Sequence, residues 1–158
     1  MNAFKITGQK DFMNRLLGGT LFEEFDLKEA TVRTAVSWHL DGHLNQEYFP
    51  TECEKNYIAF QDVKPVLFQM IKGKIPPVSF HMVLHLNQEE VEKIEAVSAE
   101  SFKEQMIQNL VLNIKFENGV MQLITAIDYE NFTLDKSYEK EWDHWVYALL
   151  SSSGLAFS

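Results

Sequence analysis

The sequence predicts an α+β fold: an antiparallel sheet with two helices on one side and a further helix at the C-terminal end. Three observations carry this prediction. Strict alternation of apolar and polar residues, as at Phe80, Met82, Leu84 and Leu86, marks half-buried strands. Apolar residues three and four apart near 9–17, 63–72 and 137–150 mark helices. Asn118-Gly119 between two alternating runs marks a two-residue hairpin turn, whose strands are antiparallel. The 158 residues show no repeat, Pro/Ser-rich linker or compositional break, so 1–158 reads as one domain. At 46% hydrophobic and 13% aromatic, the chain lies outside the range of disordered proteins and buries a core without a staple.

A short apolar strand opens at Ala3 to Ile6. A helix from Gln9 to Leu17 follows, because Phe12, Met13, Leu16 and Leu17 share one face, and Gly18-Gly19 stops it. Phe25 and Leu27 form one alternating stretch; Val32, Thr34, Val36, Trp38 and Leu40 form the next, closed by a turn at Asp41-Gly42. Tyr57 to Phe60 is a short strand leading into a helix at Val63 to Lys72, with Asp62 as its N-cap and Pro65 in its first turn. Ser79 to Leu86 is a strand. Asn87 with Glu90, and Ser101 with Glu104, have capping-box spacing and start short helical pieces. Around Asn118-Gly119 the expected pairs are Phe116 with Met121, Ile114 with Leu123, Leu112 with Thr125, and Leu110 with Ile127. Val111, Ile124 and Ala126 fall on the opposite face. Something must cover one end of that face, and the last helix, Ser137 to Leu150, with Tyr138, Trp142, Trp145, Val146 and Leu149 on one side, is a candidate for that cover.

Charge is unevenly placed. The net of −9 argues against a general binder of nucleic acid or anionic membrane. Within it lie two basic islands, Lys5, Lys10 and Arg15 against Asp11, and Lys64, Lys72 and Lys74 against Asp62. The single cysteine, Cys53, excludes an internal disulfide, and the first twenty residues lack a signal-peptide core; a cytoplasmic protein is expected, and no run has membrane-spanning length.

Six segments carry a family resemblance: Phe25-Asp26-Leu27-Lys28-Glu29-Ala30, Asp41-Gly42-His43-Leu44-Asn45, Ile71-Lys72-Gly73-Lys74, Pro77-Val78-Ser79-Phe80, Leu112 to Gly119, and Phe132-Thr133-Leu134-Asp135-Lys136. In these the chain resembles a family of uncharacterised small bacterial proteins from anaerobic gut species, which implies no activity. The order strand, helix, strand pair, short strand, helix, further strands is also similar to one domain of the DNA sliding clamps. That resemblance implies two helices side by side with a basic outer face, and both basic islands fall on the helices concerned.

Few residues point to chemistry. His39, Asp41 and His43, spaced by two near Cys53, form the candidate metal set of a small metal-dependent hydrolase. Cys53 lies between Glu52 and Glu54, whose charges disfavour a thiolate nucleophile. His81 and His85 share a strand face about 13 Å apart, too far for one ion, and read as solvated imidazoles. Glu139, Glu141 and Asp143 are dispersed around a helix beside Lys136 and Lys140, and no glycine-rich phosphate loop occurs, so no cofactor is implied. The leading candidate is the outer face of the two basic helices, with Lys10, Arg15, Lys64, Phe68 and Lys72 as binding residues. Phe68 lies between two lysines at intervals of four. The expectation is a non-catalytic interaction module that binds either a protein or, weakly, nucleic acid.

Overall fold

The computed structural model describes residues 2–97, 107–131 and 137–158. In chain order the elements are β1 (Ala3–Ile6), α1 (Gln9–Gly18), β2 (Phe25–Arg33), β3 (Ser37–Asp41), β4 (Ile58–Ala59), α2 (Phe60–Ile71), β5 (Ser79–Leu86), α3 (Gln88–Ala96), β6 (Ile107–Glu117), β7 (Val120–Tyr129) and α4 (Ser137–Ser152). The strands form a seven-stranded sheet in the order β1-β7-β6-β5-β2-β3, with β4 beside β2, and every pair is antiparallel.

The β6–β7 hairpin follows its sequence pattern. Asn118 and Gly119 take positive φ of 52° and 76°, the conformation a two-residue turn requires. The four expected cross-strand pairs are the observed register. Leu110, Leu112, Ile114, Met121, Leu123 and Thr125 are consequently buried on one face. Asn87 caps α3 as its spacing predicts, accepting from the Glu90 N–H at 2.9 Å. The second such pair, Ser101 with Glu104, lies outside the described residues.

The sheet differs from expectation around β2. Its register with β5 shifts between Leu27 and Glu29, so Lys28 is an extra residue and the inward set passes from Phe25 and Leu27 to Ala30 and Val32. That change of phase conceals a single nine-residue strand. The alternation from Val32 to Leu40 in turn runs through the bend at 34–36 into β3, where Arg33 faces Ser37. Asp41-Gly42 is no hairpin turn: the chain passes straight on, and Gly42 is buried against β2, donating to the Lys28 carbonyl at 2.8 Å. A Cβ at Gly42 would lie 1.9 Å from the Leu27 carbonyl oxygen, so glycine is needed here for close approach. Likewise α2 starts two residues before Asp62, which sits inside its first turn instead of capping it, and Pro65 falls in the second turn.

The largest correction concerns α4. It does not cover Val111, Ile124 and Ala126; it packs on the same sheet face as α1 and α2. The Phe25 ring lies 6.2 Å from Trp142 and 5.8 Å from Trp145, and Phe22 links Phe25 to Phe12 of α1 and Phe60 of α2. Trp142 also donates its indole N–H to the Val111 carbonyl at 2.9 Å, which settles the polar edge of a fully buried ring. One core thus holds α1, α2 and α4, with Val91 of α3 at its margin. On the other face, Tyr57 reaches over the sheet at His85, their rings 5.2 Å apart.

Two substitutions test this framework. Ile114→Ala, at a fully buried position, is expected to lower stability by about 2–5 kcal/mol in denaturant melts. Lys115→Ala, on the other face with only a 3.8 Å contact to Glu117, should stay within about 0.5 kcal/mol. Equal losses would place the strand one residue out of phase. Gly42→Ala should cost roughly 3 kcal/mol or more, because backbone and not a flexible side chain blocks the new methyl.

Candidate functional site

α1 and α2 lie side by side, and cations on both helices take part in joining the layer. Lys64 is only 6% exposed; its ammonium donates to the Gly19 carbonyl just beyond α1 and to Gln61 Oε1 at 3.3 Å. Burial holds its pKa below the ordinary value, opposed by Glu23. Lys64 is therefore a buried tie between helices, where sequence spacing placed it in an exposed row with Phe68 and Lys72. Each four-residue step turns a helix about 40° past a full circle, so the row leans from the core at Lys64 out to solvent at Lys72. Arg15 pairs with Asp11 at 3.1 Å and donates to the Ser153 carbonyl beyond α4, remaining 40% exposed. Lys10 and Lys72 are exposed, and Phe68 is 45% exposed.

Phe68 is one of several exposed apolar side chains. Val66 on the other flank of α2, Ile75 and Val78 after it, Val36 in the 34–36 bend and Trp38 in edge strand β3 are all exposed. Val78 donates to the Arg33 carbonyl at 2.8 Å, which brings the segment after α2 against the end of β2 that leads into the 34–36 bend. Sequence reasoning singled out Phe68 and missed the others, although the chain carries a signal for them. No carboxylate occurs from Ala30 to Leu40 or from Val63 to Gln88, while Arg33, Lys72 and Lys74 do. In a chain of net charge −9 this end of the molecule is basic and apolar at once.

His39, Asp41 and His43 do not converge. His39 Nδ1 is 3.3 Å from Thr31 Oγ1, Asp41 accepts from the His43 backbone N–H at 2.9 Å, and the His43 ring packs edge-on against Tyr57 at 5.7 Å. Among the described residues no group of three or more His, Cys, Asp or Glu side chains could hold a metal ion. Cys53 and His43 line an apolar cavity of about 490 Å³ walled by Leu40, Phe49, Ile58 and Val63, and the Cys53 thiol meets the Lys55 carbonyl at 3.9 Å. Asp143 accepts from Thr125 Oγ1 and so joins α4 to β7.

The two strand histidines part company. His81 is exposed and hydrogen-bonds Asn113 at 3.0 Å, as a solvated imidazole should. His85 is 4% exposed, contrary to expectation, because the loop before β4 brings Tyr57 over it. Period-two alternation assigns a face to a residue but says nothing of what a distant loop lays across that face. Burial lowers the His85 pKa; Asp128, 3.8 Å away, opposes this and Lys28 adds to it. Asp26, directly across β2 from His85, is held above the ordinary carboxylate range by burial despite its 3.1 Å bond from Lys55.

Residues 15–158 match DUF5721, a family of unknown function, and the chain belongs to that family. No curated protein and no solved structure matches it. Among the described residues no helix is long and apolar enough to cross a membrane.

The buried imidazole has a consequence for stability. As pH falls below the ordinary histidine value of 6.5, the unfolded chain takes up a proton that folded His85 resists. Its contribution is therefore present above that value and lost as pH falls through the window beneath it. Asp26 acts with opposite sign, in a window that begins at 3.8. Denaturant melts from about pH 7 to about pH 5.5 should show stability falling in the wild type, with a shallower fall in His85→Gln. Parallel curves would mean that His85 titrates normally.

Proposed function

We propose that this member of DUF5721 is a non-catalytic interaction module that recognises an acidic, apolar-bearing protein segment through the outer side of α1 and α2 and the adjoining end of β3. The observation that carries the reading is the coincidence of two properties at one end of the molecule. Five large apolar side chains, Phe68, Ile75, Val78, Val36 and Trp38, are exposed on segments that contain no carboxylate. An exposed apolar cluster drives association, and cations around it select for negative charge. Strand β3 adds an unpaired edge, which a peptide can extend.

The clamp-like reading of the topology belongs to the same proposal. With α3 and α4 set aside, the order is strand, helix, three strands, helix, three strands, and α1 and α2 are neighbours on one sheet face. Use of Lys64 inside the layer favours a protein partner over nucleic acid. It leaves Lys10, Arg15 and Lys72 for phosphates, and three contacts give a slope of log affinity against log salt no steeper than about −2.7.

Fluorescence anisotropy with two probes tests the proposal: a labelled peptide alternating Glu with Leu and Phe, and a labelled DNA duplex. The peptide should bind, and Phe68→Ala and Trp38→Ala should each weaken it at least tenfold. Both side chains are also more than half buried, so each change should lower melting moderately while the sheet signals stay those of the wild type, which separates lost binding from lost fold. Tighter binding of duplex than of peptide, or peptide affinity indifferent to Phe68 and Trp38, would overturn it.

A further inference from the structure

Between β3 and β4 the chain forms an arm with a closed base: His43 pairs with Tyr57, and the Leu44 N–H donates to the Asn56 carbonyl at 2.8 Å. Gln46 cross-links the arm from within. Its Oε1 accepts from the Cys53 N–H at 3.2 Å, and its amide donates to the Lys55 carbonyl at 3.4 Å. A single turn over Gln46–Tyr48 leaves the Tyr48 ring 84% exposed, while Phe49, edge-on to it at 5.4 Å, is half-buried. Glu47, Glu52 and Glu54 are exposed around it, and Asn45 to Glu54 holds no Lys, Arg or His. The arm is an acidic, aromatic-bearing segment already held in shape, so docking it costs little ordering.

The other end of β3 has the opposite character. Trp38 stands opposite buried Val32, and Val32 opposite buried Phe80, so Trp38 carries a core row out to the sheet edge. Val36 and Val78 adjoin it at the 34–36 bend with Arg33, and Lys72, Lys74 and Ile75 lie exposed in the segment that leads to Val78. Among the described residues, none of these three cations has a carboxylate partner, and none of the three arm carboxylates has a cation. Each set of unpaired charge surrounds exposed apolar side chains, so the two surfaces are complementary. Within one chain they are held apart. The base of the arm at His43 is seven residues from Val36, roughly 23 Å of extended chain, and the arm folds toward the start of α2, where Phe49 lines a cavity with Asp62 and Val63.

We propose that the Asn45–Glu54 arm of one copy docks on the Trp38–Val78 surface of a second copy, with Tyr48 on the apolar side chains and the three carboxylates toward Arg33, Lys72 and Lys74. The inference rests on the reading of that surface given above and names its partner as the chain itself. Arm and surface are different patches, so the contact is heterologous, and a pair still has one free arm and one free surface.

Sedimentation of the full chain tests this. The wild type should rise above the 18.3 kDa of one chain between about 10 μM and about 1 mM. Tyr48→Ser removes the arm's ring, and the double change Lys74→Glu with Ile75→Glu reverses the surface. Each should weaken association at least tenfold. All three positions are exposed, so melts should match the wild type. The mixture of the two variants should pair one to one and grow no further, because one supplies an intact surface and the other an intact arm. A wild type that stays single at every concentration, a variant that associates like the wild type, or a mixture that fails to pair overturns the inference. A single wild type that still binds the Glu-Leu-Phe peptide overturns this inference alone and leaves the proposed function standing.

Discussion

The molecule is organised around Phe25. At the first position of β2, its ring contacts Phe22 at 5.6 Å and both Trp142 and Trp145 of α4, while Phe22 reaches Phe12 of α1 and Phe60 of α2. A continuous path of aromatic contacts therefore crosses the sheet face and joins α1, α2 and α4. Each tilted or edge-to-face pair adds about 0.5–1.5 kcal/mol to plain burial, and the geometry it demands fixes where each helix axis can lie. The helix layer is held from within by rings whose positions are set by one strand.

Polar groups complete what the rings begin. Lys64 ties α2 to the end of α1, Arg15 ties α1 to the end of α4, and Asp143 ties α4 to β7. In the first two, a cation meets a carbonyl just beyond a helix C-terminus, where the helix dipole is negative. Two members of the basic islands thus serve the fold, and Lys72 and Lys74 stand beside the exposed Ile75. This division of labour moves the proposed partner from nucleic acid toward protein.

Local patterns in the chain were legible where local chemistry decides the outcome. Asn118-Gly119, the alternating residues beside it and the Asn87 cap each depend on neighbours within a few positions, and each appears as expected. The bulge at Lys28 was not legible, since an extra residue looks like the end of a strand. The face taken by α4 was ambiguous for another reason: Trp142 and Trp145 announce a buried helix, but either sheet face offered apolar residues. The burial of Lys64 and His85 depends on Gly19 and Tyr57, contacts made at long range that no periodicity encodes. The basic, apolar end of the molecule was present in composition, as two stretches without carboxylates, yet those stretches are separated by twenty-two residues and join only in the fold.

The pairing of β1 has consequences for how the protein comes to exist. Its inner side is bonded to β7, with Ala3 opposite Ile124 and the Asn2 N–H on Thr125 Oγ1 at 2.9 Å; its outer side is bonded to Ser158, in both directions through Lys5. Synthesis proceeds from the N-terminus, so Phe4 and Ile6 leave the ribosome more than a hundred residues ahead of any strand that can cover them. Long-range pairing of this kind closes late and slowly. Until β7 is made, β1 is an apolar strand without its partner, and the β6–β7 hairpin is the template on which it docks.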